Sequence, residues 1–174
     1  MRMFAVALIL MFCVAGEVSA KDDIVNCKTE NDLQYCVDGQ DNPITGKVSI
    51  KYDNGYTKSL ENMKNGYRNG LVTEYDEEGA LVKRSYYRMG VLNGQYKIYH
   101  KNRQIKVFAN YKEGVLHGNS EIYDADGNLM GKILYAKGRV KNGFCYETPK
   151  GKKNKLTFFE IQNLQDNTLV TCGQ

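Results

Sequence analysis

Two series of glycines run through this chain at one spacing. Gly46, Gly70, Gly94 and Gly118 lie 24 residues apart, and so do Gly66, Gly90, Gly114 and Gly138. Two tyrosine series share the period. Tyr75, Tyr99 and Tyr123 fall five places after the first glycine of their units, and Tyr87, Tyr111 and Tyr135 fall three places before the second, where the first unit has Met63. A fixed period of this length restricts the chain to stacked copies of one supersecondary unit, each burying its neighbour's apolar surface.

The composition of a unit says what that element is. Asp53-Asn54-Gly55, Glu77-Glu78-Gly79 and Asp126-Gly127 are turn sequences in mid-unit. The third unit has Asn102-Arg103 there, so its turn must accept a non-glycine residue. The other connection reads Gly-x-x-x-Gly, from Gly66 to Gly70, Gly90 to Gly94 and Gly114 to Gly118, and is expected to reverse the chain with both glycines at positive φ. Between the turns, runs such as Gln95 to Tyr99 and Ile105 to Tyr111 alternate with period two and favour strands. Leu81, Ile105 and Leu129 are equivalent, as are Ser85, Ala109 and Ile133, and Tyr87, Tyr111 and Tyr135; stacking would line them into columns. Thirteen tyrosines and no tryptophan suit a thin sheet with little covering it, since tyrosine buries its ring and keeps its hydroxyl wet.

The ends differ from the middle. Met1-Arg2-Met3, an apolar run from Phe4 to Gly16 and then Val18-Ser19-Ala20 before Lys21 read as a cleavable signal peptide over residues 1–20. The apolar run is shorter than the about 20 residues of a spanning helix. A lipoprotein reading would use Cys13, but Phe12 stands where a small residue is wanted. Export to the periplasm or the medium is therefore expected, with a mature chain from Lys21. Four cysteines remain after cleavage: Cys27, Cys36, Cys145 and Cys172. An even count in an exported chain points to two disulfides, with three connectivities open. Cys27–Cys36 with Cys145–Cys172 is preferred, because the first two are symmetric about a turn at Asn31-Asp32. Zinc is the alternative use of the four, and no Cys-x-x-Cys spacing supports it. Residues 21–42 then form a capping hairpin, residues 43–143 the repeats, and residues 144–174 a closing cap with strands at Phe144–Tyr146, Leu156–Ile161 and Thr168–Cys172.

At Thr45-Gly46, Tyr75 to Gly79, Tyr87 to Gly94, Tyr111 to Gly118 and Tyr123 to Gly127, with Pro43-Ile44-Thr45-Gly46 leading in, the units resemble the MORN repeat, in the variant common in bacterial antitoxin-like proteins. The likeness covers residues 42–143. It implies an all-β fold, an elongated antiparallel sheet of tandem hairpins, here with disulfide-stapled end caps. It also implies interaction roles: toxin neutralisation in some bacterial members, scaffolding or membrane association in eukaryotic ones. The leader and the cysteines depart from the usual cytoplasmic pattern.

Reactive chemistry has little to rest on. The two histidines, His100 at a strand end and His117 in a turn, read as surface residues. No nucleophile elbow or phosphate loop occurs, and no catalytic residue or cofactor is expected. Asp124, Asp126 and Asn128 imitate part of a calcium loop, but Lys137 and Gly138 stand near where its glutamate belongs, so no metal is expected. The net charge of +4 falls short of a nucleic-acid binder, and no nucleic acid is expected. Lysines concentrate between Lys137 and Lys155, which allows weak contact with an anionic membrane. The reading is an exported, non-catalytic protein-binding module, an immunity or antitoxin-like protein whose partner is a toxin or an envelope protein. An envelope-associated structural or membrane-surface protein is the alternative. The expected binding surface is one tyrosine-rich sheet face carrying Tyr75, Tyr87, Tyr96, Tyr99, Tyr111, Tyr123 and Tyr135.

Overall fold

The computed structural model describes residues 26–30, 33–146, 153–155, 169 and 172. These form one open antiparallel sheet, with no helix among the described residues. Strands β1 (Asn26–Glu30) and β2 (Leu33–Val37) make an N-terminal hairpin. A meander follows: β3 (Gly46–Lys51), β4 (Thr57–Lys64), β5 (Tyr67–Tyr75), β6 (Leu81–Arg88), β7 (Val91–Tyr99), β8 (Ile105–Lys112), β9 (Val115–Leu116), β10 (Gly118–Tyr123), β11 (Leu129–Ala136) and β12 (Arg139–Tyr146). A short β13 (Lys153–Lys155) pairs with β12. β12 runs through residue 143 without a break, so the last repeat passes directly into the cap.

Two kinds of turn alternate along this meander. At one end of the strands the chain reverses over Asn65-Gly66, Met89-Gly90, Glu113-Gly114 and Lys137-Gly138, with both residues of each pair at positive φ (49° and 80° for the first). That is the two-residue turn whose twist matches paired strands, and it explains the second series of glycines, Gly66 to Gly138. Each turn glycine also donates its N–H to the preceding unit: Gly66 to Ile44 O, Gly90 to Arg68 O, Gly114 to Leu92 O and Gly138 to Leu116 O, all at 2.8–2.9 Å. Thr45 Oγ1, Asn69 Oδ1 and Asn93 Oδ1 accept the neighbouring N–H of Asn65, Met89 and Glu113. His117 occupies the fourth such position, the place of a turn residue.

The expectation that both glycines of Gly-x-x-x-Gly make the bend is corrected here. Gly70 and Gly94 lie inside β5 and β7, and Gly118 begins β10. Their positive φ marks a bulge: one residue of the facing strand, Asn62 or Tyr86, opposes three across the ladder. The strands approach so closely there that a Cβ on Gly94 would stand 3.1 Å from Tyr86 Cβ. In the last hairpin the bulge is one residue shorter, pairing Ile133 with Gly143, which stands five residues after Gly138 where the earlier pairs are four apart.

At the other end, Tyr52–Tyr56, Asp76–Ala80, His100–Gln104 and Asp124–Asn128 form tight turns, each closed by two backbone hydrogen bonds. Positive φ falls on Gly55, Gly79 and Gly127, and on Arg103 at 68°. These turns alternate in kind. The second and fourth close on themselves: Asp76 and Asp124 each accept two backbone N–H groups of their own turn. The first and third reach the following unit. Tyr52 Oη donates to Tyr75 O and Asn54 Nδ2 to Glu77 O; His100 Nε2 lies 3.0 Å from Tyr123 O and Asn102 Nδ2 donates to Ala125 O. The true period of the turn chemistry is thus two units.

Alternation divides the sheet into an inward and an outward face. The inward face holds Val72, Val107, Ala109, Ile122 and Ile133, all with zero exposure, and Tyr135 at 2%. This corrects the picture of a thin sheet with little covering it. Inward side chains of neighbouring strands close over one another, Tyr96, Tyr111 and Met130 against Ala109, Ile122, Ile133 and Tyr135, and small residues make room: Ser85 and Ala109 flank Tyr96 across the ladder. Each fully buried Ile or Val contributes about 1.5–3 kcal/mol. Leu169 and Cys172 pack against the same cluster at its C-terminal end.

Both disulfides take the preferred pairing. Cys27 and Cys36 are register partners across the first hairpin. Cys145 of β12 is joined to Cys172 over a separation of 27 residues, closing a loop worth about 3.5 kcal/mol in the chain-entropy account. Gly131 lies beneath this second bridge; a Cβ there would collide with Cys172 Sγ and stand 2.9 Å from Phe144 O. The N-terminal hairpin docks on the first turn through Cys36 N–H to Gly66 O and Ile44 N–H to Cys36 O, with the Tyr35 ring laid over Gly66 and edge-on to Tyr67 at 5.1 Å. Two intramolecular disulfides are consistent with an oxidising, extracytoplasmic environment. Residues 1–20, the Asn31-Asp32 turn, the strand at 156–161 and most of that at 168–172 lie outside the described residues.

Candidate functional site: two unlike sheet faces

The seven tyrosines of the expected surface do not share a face. Tyr87, Tyr96, Tyr111 and Tyr135 alternate with outward residues on β6, β7, β8 and β11 and point inward. Tyr96 and Tyr111 pack at 5.4 Å between centroids, and burial pushes the Tyr111 phenol up to about 12. Tyr135 belongs to the core. Tyr75, Tyr99 and Tyr123 end β5, β7 and β10 and point outward, forming a column beside the self-closing and bridging turns. Burial, followed by the hydrogen bond it donates to Glu121 Oε2 at 2.8 Å, raises the Tyr123 phenol.

The inward face carries a group of charges that the tyrosine reading missed. Glu61, 2% exposed, accepts two hydrogen bonds from the Arg68 guanidinium, at 2.7 and 2.6 Å, and a third from Ser59 Oγ. Beside it, Lys83 Nζ lies 2.6 Å from Glu74 Oε2, an oxygen with no other partner among the described residues. Arg68 covers the Tyr87 ring at 5.3 Å and Lys83 the Tyr96 ring at 5.9 Å. Glu61, Arg68 and Glu74 line a cleft of about 490 Å³ with Lys51, Lys58 and Gln34. The repeat supplies its own comparison. Glu61 stands where later units have Ser85, Ala109 and Ile133; Arg68 where others have Ile44, Leu92 and Leu116; Glu74 where they have Ile50, Ile98 and Ile122; Lys83 where they have Ser59, Val107 and Gly131. Four charges have thus entered otherwise small or apolar columns, all within two adjacent units.

The outward face is basic. Lys47, Lys64, Arg84, Arg88, Lys97, Lys112 and Lys132 occupy outward positions of the strands, against Glu121. Glu121 is engaged by Lys132 at 2.8 Å and by Tyr123, contacts that hold its carboxyl below the usual range. Lys97 lies 5.7 Å over the Phe108 ring. Lys47, Lys64, Arg84, Arg88 and Lys112 have no ion-pair partner among the described residues. Among these cations, Leu60 and Tyr86 are exposed by 45% and 43%. Leu60 and Leu71 line a shallow hollow of about 470 Å³ with Lys47, Asn62 and Thr73. Carboxylates gather instead in three of the four turns of one row, at Asp53, Asp76, Glu77, Glu78, Asp124 and Asp126, while the third turn carries Lys101 and Arg103, so the small net charge conceals an uneven surface.

Asp124, the start of the calcium-like spacing, has its carboxylate occupied by the N–H groups of Asp126 and Asn128 and by Asn128 Nδ2, and acts as a turn cap. No family model matches this chain, and no curated protein matches it.

Proposed function

We propose that this protein is an exported, non-catalytic protein-binding repeat module of the immunity or antitoxin-like kind. The observation that carries the reading is the outward face: a broad, regular sheet surface holding exposed Leu60 and Tyr86 among five uncompensated cations, with three tyrosines along its edge. Aromatic and arginine side chains around an exposed apolar centre are what protein interfaces are built from. The two disulfides support a place outside the cytoplasm, and the MORN-like units support an interaction role. The test places a photo-reactive aromatic residue at Tyr86 and irradiates the mature chain in its native envelope fraction. One dominant cross-linked protein is expected, absent when the reactive group is moved to the inward position Tyr111. Equal labelling from both positions, or none from Tyr86, would remove the reading. The alternative, a membrane-surface protein, draws on the same cations; salt-sensitive binding to anionic vesicles in place of a protein cross-link would favour it.

A further inference from the structure

We infer that the outward face recognises an acidic protein surface, one that presents carboxylates to the cation rows and inserts an apolar side chain into the hollow between Leu60 and Leu71. This rests on the protein-binding reading and adds the chemistry of the partner.

Three observations lead to it. The face has strong sign asymmetry: Lys47, Arg84, Arg88 and Lys112 stand without anionic partners, and its own carboxylate, Glu121, is already engaged by Lys132. A partner with complementary charge gains both encounter rate and register from such a surface. The cations also surround an apolar centre. Leu60 pairs across the ladder with Thr73, and Thr73 with Arg84; Leu71 pairs with Tyr86. The hollow and the nearest free guanidinium therefore sit on adjacent strands, about 5–10 Å apart at ordinary strand spacing. A side chain seated between Leu60 and Leu71 would place a carboxylate one or two residues away beside Arg84 or Lys47. Finally, at the end where Tyr75, Tyr99 and Tyr123 stand, the face is bordered by acidic turns at Asp76-Glu77-Glu78 and Asp124–Asp126, with Lys101 and Arg103 in the turn between them. A uniform polyanion spanning the whole sheet, whether nucleic acid, sulfated glycan or bilayer, would meet the Asp76-Glu77-Glu78 and Asp124–Asp126 turns and be repelled there. A folded or peptide partner with a bounded acidic patch would not.

The probe is a fluorescein-labelled synthetic peptide of glutamate and leucine in alternation, with a glutamate–serine peptide of equal length, heparin, single-stranded DNA and anionic phosphatidylglycerol vesicles as comparators. The mature native chain is expected to bind the glutamate–leucine peptide most tightly, and less tightly as salt is raised. Arg84→Glu and Leu60→Ser should each weaken this by about tenfold, the first through charge and the second through the anchor. Both positions are exposed, so thermal unfolding of each variant checks that the fold is intact; Lys47→Glu serves as a second charge variant if Arg84→Glu unfolds. Tighter binding to heparin, DNA or vesicles, or peptide binding indifferent to both substitutions, overturns the inference. The cross-linking experiment at Tyr86 separates the two levels. A captured protein whose yield is unchanged in Arg84→Glu leaves the binding module standing and removes its acidic partner. Capture of nothing removes both.

Discussion

Replacing Glu61 by alanine, the residue of the third unit, tests whether the inward charges are structural elements of a site or passive replacements for the apolar columns. Glu61 is 2% exposed and meets Arg68 in a two-pronged contact, while the Arg68 side chain keeps 20% of its surface in water. Removing one member of a buried pair leaves the other charge unpaired and costs about 3–5 kcal/mol. The residual exposure of Arg68 places Glu61→Ala near the lower end, about 3 kcal/mol, or a fall of about 9 °C in Tm for a chain of this size. Converting both members to the residues of other units, Glu61→Ala with Arg68→Leu, removes the desolvation of both charges and should return stability to within about 1 kcal/mol of the parent, or above it. Thermal and urea unfolding of the parent, both single variants and the double variant, followed by far-ultraviolet circular dichroism, gives the coupling directly. A loss below about 1 kcal/mol in Glu61→Ala, or a double variant as unstable as the single one, would refute the reasoning.

Three further outcomes are expected. Arg103 holds φ at 68°, where its siblings are glycines, so Arg103→Gly should gain about 0.5–1 kcal/mol in urea unfolding, the relief of left-handed strain less the entropy of a freer unfolded chain. Gly131→Ala places a methyl against Cys172 Sγ and Phe144 O and should cost about 1–3 kcal/mol, with faster labelling of Cys145 and Cys172 by a thiol reagent under mild reductant. The Tyr111 phenol is raised from 10.0 to about 12 by burial, so its protonated form is favoured by folding; that contribution is complete below pH 10 and fades as pH rises towards 12. Tyr111→Phe should flatten the loss of stability across this alkaline window, measured by unfolding at stepped pH beside phenolate absorbance.

Much of the architecture is legible in the spacing of a few residue types. Asn65-Gly66 and its three copies define one row of turns, Asp53 to Gly55 and its relatives the other, and the cysteine positions give both disulfides, because each feature depends on local backbone geometry or on one cross-strand neighbour. Side-chain direction is harder. Tyr75 and Tyr87 lie an even number of residues apart, yet the bulge at Glu74/Tyr75 and the intervening reversal send them to opposite faces. Parity survives along one strand and is lost across a bulge. The charge pattern was available from the same alignment that yields the columns. Glu61 heads the column of Ser85, Ala109 and Ile133, and reading that position in the first unit exposes the anomaly. The basic outward face escapes a count over the whole chain because the turns carry the compensating carboxylates.

The alternating turns also bear on how such an array can change in length. Asn54 and Asn102 each lean on the unit ahead, whereas Asp76 and Asp124 cap only their own bends. Excising one interior copy of 24 residues would set two like bends side by side, while removing or inserting 48 residues would keep bridging and self-capping bends in alternation. An array of this kind therefore lengthens without disturbing its bends only by doublets.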